Sequence, residues 1–176
     1  MGFAAFLIAV PVGLASQTVL EELTSLTVSV LVLLFVILVG IFFDVIGVAV
    51  TAAHEAPLHA RASNQIFGAR RAANLVRNAH QVASFCNDVV GDVSGTLSGA
   101  ISIGVLYQLY HLTSPLKAIL TTTLMSAAVA ALIVGGKAYG KVYAIRRSTE
   151  IVFHVGQVLT FMEHLFQRFL PFRSRR

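Results

Sequence analysis

Charge is scarce in this chain: Asp, Glu, Lys and Arg make up 12% of its 176 residues, against 56% hydrophobic ones. With a mean hydropathy of +0.79, that balance excludes an ordinary soluble domain, in which about a quarter of residues are charged. Cysteine occurs once, at Cys86, which excludes an intrachain disulfide and suits a small apolar filler that stays reduced. Neither a Walker A loop nor a dinucleotide fingerprint is present. In HEAPLH, His54 and His59 stand five apart with Pro57 between them, so they cannot share a helix face as a zinc-protease H-E-x-x-H motif requires. Neither Ser94 nor Ser98 has a glycine two residues before it, which argues against a serine nucleophile on a G-x-S-x-G turn. The expectation is that the chain is not an enzyme.

What the chain has instead is long apolar runs. A bilayer-crossing helix needs about 20 of them in succession. Four candidates occur, at about residues 3–19, 23–53, 85–110 and 116–136. The first is short and interrupted by Pro11 and Gly13, and GLAS within it resembles a signal-peptide cleavage site. No Lys or Arg precedes it, so a retained span is expected. Basic residues flanking spans collect on the cytoplasmic side. Twelve of the thirteen Lys and Arg fall in the link after the second run or in the tail after the fourth; only Lys117 lies on the other side. Both termini are therefore expected in the cytoplasm of a multi-pass membrane protein, with a bacterial plasma membrane the expected setting. The basic residues flank spans, which favours anionic lipid over nucleic acid as their partner.

The fold class read from this pattern is all-α: about four transmembrane helices plus amphipathic juxtamembrane helices at about 57–81 and 145–170, in a single transmembrane domain. In the first juxtamembrane helix Leu58, Ala62, Ile66, Ala69, Ala73, Val76 and Ala79 recur at helical steps, with Gly68 as a break or bend. In the second, Ile151, Val155, Val158, Leu159, Met162, Leu165, Phe166 and Phe169 form the apolar stripe. Gly91, Gly95 and Gly99 form a four-residue row in the third span, a pattern that lets membrane helices approach closely. That row predicts the third span as the packing centre.

Ionisable residues inside spans cost roughly 2.5–3.5 kcal/mol on insertion scales, and so are functional candidates. Counting helix rise inward from His54, His80 and Arg146 puts Asp44, Asp88, Asp92 and Lys137 all about 12–18 Å deep. Three carboxylates at one level, with Asn87, Ser94 and Ser98 nearby, would suit a hard divalent cation with oxygen ligands. The same acids could instead be neutralised by Lys137 in a structural cluster, or form a proton relay.

The order of motifs resembles the transmembrane domain of the cyclin M and CorB/CorC magnesium transporters. FFDVIGVAVTA stands where that family has F-S-G-S-E-T-A after paired phenylalanines. A basic link follows, and CNDVVG stands at the family's G-N-x-x-V-N. GGKAYGKVYA is similar to its F-G-E-x-x-P-K-x-x-A, with Gly136, Lys141 and Ala144 matching. The resemblance covers about residues 26–160. It implies a homodimer, with magnesium or another divalent cation as the bound or transported ion. The family's ligand serines are Asp44 and Ile46 here, its first-motif glutamate is Gly47, its second asparagine Gly91, its third-motif glutamate Lys137, and its proline Gly140. An acid thus stands where the family has a hydroxyl, and a base where it has an acid. The expected metal ligands are Asp44, Asn87, Asp88, Asp92, Ser94 and Ser98.

Overall fold

The computed structural model describes residues 2–3, 6–11, 13–14, 26–110 and 115–169, and among these no strand occurs. Helix α1 (Leu26–Ala52) is followed by two short helices, α2 (Glu55–Ser63) and α3 (Ala69–Arg77). Next come α4 (Ala79–Ser84), a π-helical turn (Phe85–Gly91) and α5 (Asp92–Tyr110), which continue one another. Two long helices close the chain, α6 (Pro115–Arg146) and α7 (Ser148–Phe169).

Three helical stretches among the described residues are long and apolar enough to cross a membrane: Leu26–Ala52, Ala79–Leu106 and Ile119–Arg146. The fourth expected span, 3–19, lies largely outside the described residues. Its described part is helical at 6–11 and 13–14, and Gly13 comes up beside Leu97 of α5. The last span also runs further than the hydropathy suggests, with α6 unbroken to Arg146 rather than stopping near 136. Gly136 and Gly140 do not end it, because α1 fills the space they leave. A Cβ on Gly136 would overlap Ile41, and one on Gly140 would lie 2.6 Å from Val45.

The third span is the most enclosed of the three, but the helix against which the other long helices all pack is α1. Ala79–Leu106 is 56% buried over its most apolar window, against 22% for Leu26–Ala52 and 6% for Ile119–Arg146. Yet the glycine row does not make those contacts. Only Gly91 is closely approached; Gly95 and Gly99 have no atom within 4 Å of an added Cβ. The buried stripe of α5 is instead Ser94, Ser98, Ile101, Ser102 and Val105, stepping by three and four residues as a helix face must.

Outside the spans, α2, α3 and α7 pack together beneath α1. Pro57 sits in the first turn of α2, where its missing N–H has no helical partner to lose. Gln65 and Gly68, at φ of 55° and 81°, turn the chain between α2 and α3. There Gly68 meets the Gln157 backbone and Gly156 meets the backbone of Gly68 and Ala72, so α3 and α7 cross with almost no side chain between them. Ser148 donates a hydrogen bond of 3.2 Å to the Ala52 carbonyl at the end of α1. Arg61 pairs with Glu150 at 2.6 Å and lies 4.6 Å over the Phe153 ring, while Arg71 pairs with Glu163. The expected α7 stripe is not the buried face: Ile151 and Val155 are half-buried, and Val158, Leu159, Met162 and Leu165 are exposed. The residues that α3 covers are Val152 and Gly156.

Two apolar clusters result. One joins Ile46, Ala49 and Val50 to Leu58, Ala72, Val76, Ala144 and Val152. The other joins Leu33 and Ile37 to Ile101, Val105 and Val129. On α1, Gly40 and Asp44 lie between them.

Candidate functional site

Helix α1 carries Gly40, Asp44 and Gly47 on one face, and the π turn with α5 carries Asn87, Gly91, Ser94 and Ser98 on the face opposite. The two stripes interlock by size. Asn87 fills the notch at Gly47, Asp44 approaches Gly91, and Ser94 fills the notch at Gly40, where a Cβ would lie 2.9 Å from the serine's own. Asn87, Asp44 and Ser94 therefore each sit opposite a glycine. Bulk on either side would force the helices apart.

Helix α6 closes the third side. Because Gly136 and Gly140 accept Ile41 and Val45, α6 comes close enough for the residue after each glycine to reach Asp44. Lys137 Nζ lies 4.0 Å from Asp44 Oδ1, and Lys141 Nζ lies 3.7 Å from Oδ2. Asp44 is only 3% exposed, so its charge has been taken out of solvent and needs compensation. At a separation of about 4 Å and an effective dielectric near 20, each ammonium supplies about 4 kcal/mol of attraction. Lys141, whose side chain is half exposed, is screened and supplies less. Both distances exceed a hydrogen bond. Among the described residues two buried oxygens, Asp44 Oδ2 and Asn87 Oδ1, have no donor. A buried acceptor left unsatisfied costs roughly 1–3 kcal/mol, and two occur on one seam.

Further along the seam lies a void of about 10 Å³ lined by Gly40, Gly91, Ser94, Ser98 and Lys137, among others, but not by Asp44 or Asn87. That is close to the smallest space able to hold one water-sized species. Ser98 turns its hydroxyl back to the Ser94 carbonyl at 2.7 Å, as buried helical serines commonly do. The π turn (Phe85–Gly91) supplies Asn87. Such wide turns interrupt the α-helical register and recur at functional sites.

Of the six residues singled out from the sequence, Asp44, Asn87, Ser94 and Ser98 line this seam. Asp88 and Asp92 do not. Both are exposed: Asp88 accepts a hydrogen bond of 2.5 Å from Ser84, and Asp92 opens α5 as its first-turn acid. The three carboxylates expected at one depth thus do not converge, and among the described residues no three His, Cys, Asp or Glu side chains are grouped to hold a metal. The reason is angular. Asp88 and Asp92 each follow a seam residue by one position, which on a helix is about 100° of rotation. In the sequence Lys141 belongs to the basic tail and matches the lysine of the third family motif, but nothing there pairs it with Asp44. Its i, i+4 spacing from Lys137 was the signal that both point one way.

Comparison with protein-family models, with curated proteins and with solved structures returned no match to this chain.

Proposed function

We propose that the protein is a multi-pass membrane protein that binds and passes a divalent cation, of the hard, magnesium-like class, at the Asp44 centre. The observation that carries this reading is the pair of donor-less buried oxygens, Asp44 Oδ2 and Asn87 Oδ1. Hard cations take oxygen ligands, and these two acceptors are already desolvated, Asn87 Oδ1 in the notch at Gly47. The resemblance to magnesium transporters supplies the class of ion. In this account Asp44 provides charge, Asn87 provides a neutral oxygen, and Ser94 and Ser98 border the small void further along the seam. Lys137 and Lys141 act as tethered counter-cations that neutralise Asp44 until an ion displaces them. Asp88 and Asp92, one face round, act at the approach to the centre rather than as its ligands.

The chain is proposed to cross the membrane four times, counting residues 3–19, with both termini cytoplasmic and with α2, α3 and α7 as juxtamembrane helices. A homodimer is the proposed assembly, as the resemblance to the magnesium transporters implies. A second reading, a non-transporting scaffold or accessory subunit with a structural Asp–Lys cluster, is favoured by the two lysines within 4.0 Å of Asp44.

The test is magnesium flux into liposomes containing the purified protein. Flux abolished by Asp44→Asn, and reduced but retained in Asp92→Asn, is the expected result. An absence of flux in the unaltered protein, or flux indifferent to Asp44→Asn, would favour the scaffold.

A further inference from the structure

The void of about 10 Å³ further along the seam has two kinds of wall. Ile37 and Ile41 from α1 and Ile133 from α6 are apolar; Ser94 and Ser98 from α5 and Lys137 from α6 are not. Isoleucines alone would leave such a space dry, as apolar cavities far larger than this one remain. The polar side chains decide its contents.

Ser94 is 7% exposed, and its hydroxyl has no hydrogen-bond partner among the described residues. The usual outlet for a buried helical serine is the carbonyl one turn back. Ser98 takes that outlet, donating to the Ser94 carbonyl at 2.7 Å. A hydroxyl has one hydrogen and two lone pairs, so Ser98 Oγ can still accept. Lys137 brings three N–H donors. Its partner oxygen, Asp44 Oδ1, stands 4.0 Å away, too far for a hydrogen bond. Lys137 Nζ lies 3.5 Å from where a Cβ on Gly91 would stand, and Gly91 is itself a wall of the void. The ammonium therefore stands at its edge, with donors to spare.

Charge and size select the occupant. An ammonium at the wall opposes a cation. The space matches about one water, and a chloride ion is larger. A buried water typically makes about three hydrogen bonds, and three polar side chains surround this void.

We infer that the void is the site of one resident water, which accepts from the Lys137 ammonium and the Ser94 hydroxyl and donates to Ser98 Oγ. A polar contact longer than about 3.5 Å is commonly completed in this way. The water ties Lys137 to α5, on the side of the ammonium that faces away from Asp44. The inference is independent of whether the Asp44 centre carries a cation.

Radiolytic labelling tests it on the detergent-purified protein. A short X-ray pulse turns bound water into hydroxyl radicals, which oxidise the side chain beside it, and mass spectrometry reads the site. Ile37 and Leu33 are 5% and 3% exposed and belong to one apolar cluster, but of the two only Ile37 lines the void. Ile37 should be oxidised several-fold more than Leu33, and the excess should vanish in Ser94→Ala. That variant keeps the Cβ that fills the notch at Gly40, so its thermal melt isolates the hydroxyl. With the water in place, the melting temperature should fall, because the water loses a partner. In a dry void the same change removes a buried unpaired hydroxyl, and the melting temperature would hold or rise. Equal oxidation of Ile37 and Leu33 in the unaltered protein, or a Ser94→Ala variant that melts at or above it, would overturn the proposal.

Discussion

Asp44 and the pair Asp88 and Asp92 are the acids of the three apolar spans, and helix rise puts them at similar depth. They nevertheless occupy different worlds. Asp44 is buried between two lysines, while Asp88 and Asp92 are exposed. Depth is set by position along a helix, but environment is set by rotation about it. Asn87, Gly91, Ser94 and Ser98 keep one azimuth and meet α1; a step of one residue leaves that face.

The largest expected effect comes from neutralising the acids one at a time. Asp44→Asn strands two ammoniums, and removing one partner of a buried pair commonly costs about 3–5 kcal/mol. The exposure of Lys141 puts the expected loss at the lower end. Asp88→Asn and Asp92→Asn should each stay within about 0.5 kcal/mol, as surface changes do. Thermal melts of the three variants in one detergent compare them directly. Equal losses would put all three acids in one cluster and break the contrast.

Glycines sharpen the same contrast at a smaller scale. Gly40→Leu pushes bulk into the Ser94 notch, where overpacking costs typically about 1–3 kcal/mol. Gly95→Leu meets open space and should melt with the unaltered protein. A reversed order would mean that the third span packs through its glycine row after all.

The smallest effect sets the scale for a charge pair in water. The guanidinium of Arg61, hydrogen-bonded to Glu150, holds that carboxyl below its ordinary value. A lowered carboxylate pKa contributes stability above the unfolded value and loses it as pH falls through the folded one. The contribution of Glu150 should thus be intact at neutral pH and fade below about pH 4. In Arg61→Gln this acid-side loss should be absent from the melting-temperature profile. An unchanged profile would leave the pair without thermodynamic weight, a common fate of exposed ion pairs.

Much of the fold was legible because hydropathy, basic flanks and helical spacing are local properties. The three spans, the break near Gly68 and the helical character of α7 all follow from them. Four of the six candidate ligands reach the seam for the same reason: Asn87, Ser94 and Ser98 share a face, and Asp44 sits at their depth. What was not legible depends on partners. Nothing local distinguishes Gly136 and Gly140, which admit Ile41 and Val45, from Gly95 and Gly99, which admit nothing. Lys141 looked like part of the basic tail because its role depends on α6 remaining helical past those glycines.

The central claim is that the lysines stand in for a cation at Asp44. Its most direct measurement is the thermal melt of the double variant Lys137→Met, Lys141→Met, with and without millimolar magnesium, manganese or calcium. Without its ammoniums the buried carboxylate should lower the melting temperature, and one of these ions should restore it or raise it beyond the unaltered protein, because oxygen ligands are then free to coordinate. A double variant that melts early and ignores all three ions would contradict the account and leave Asp44 a structural partner of its lysines.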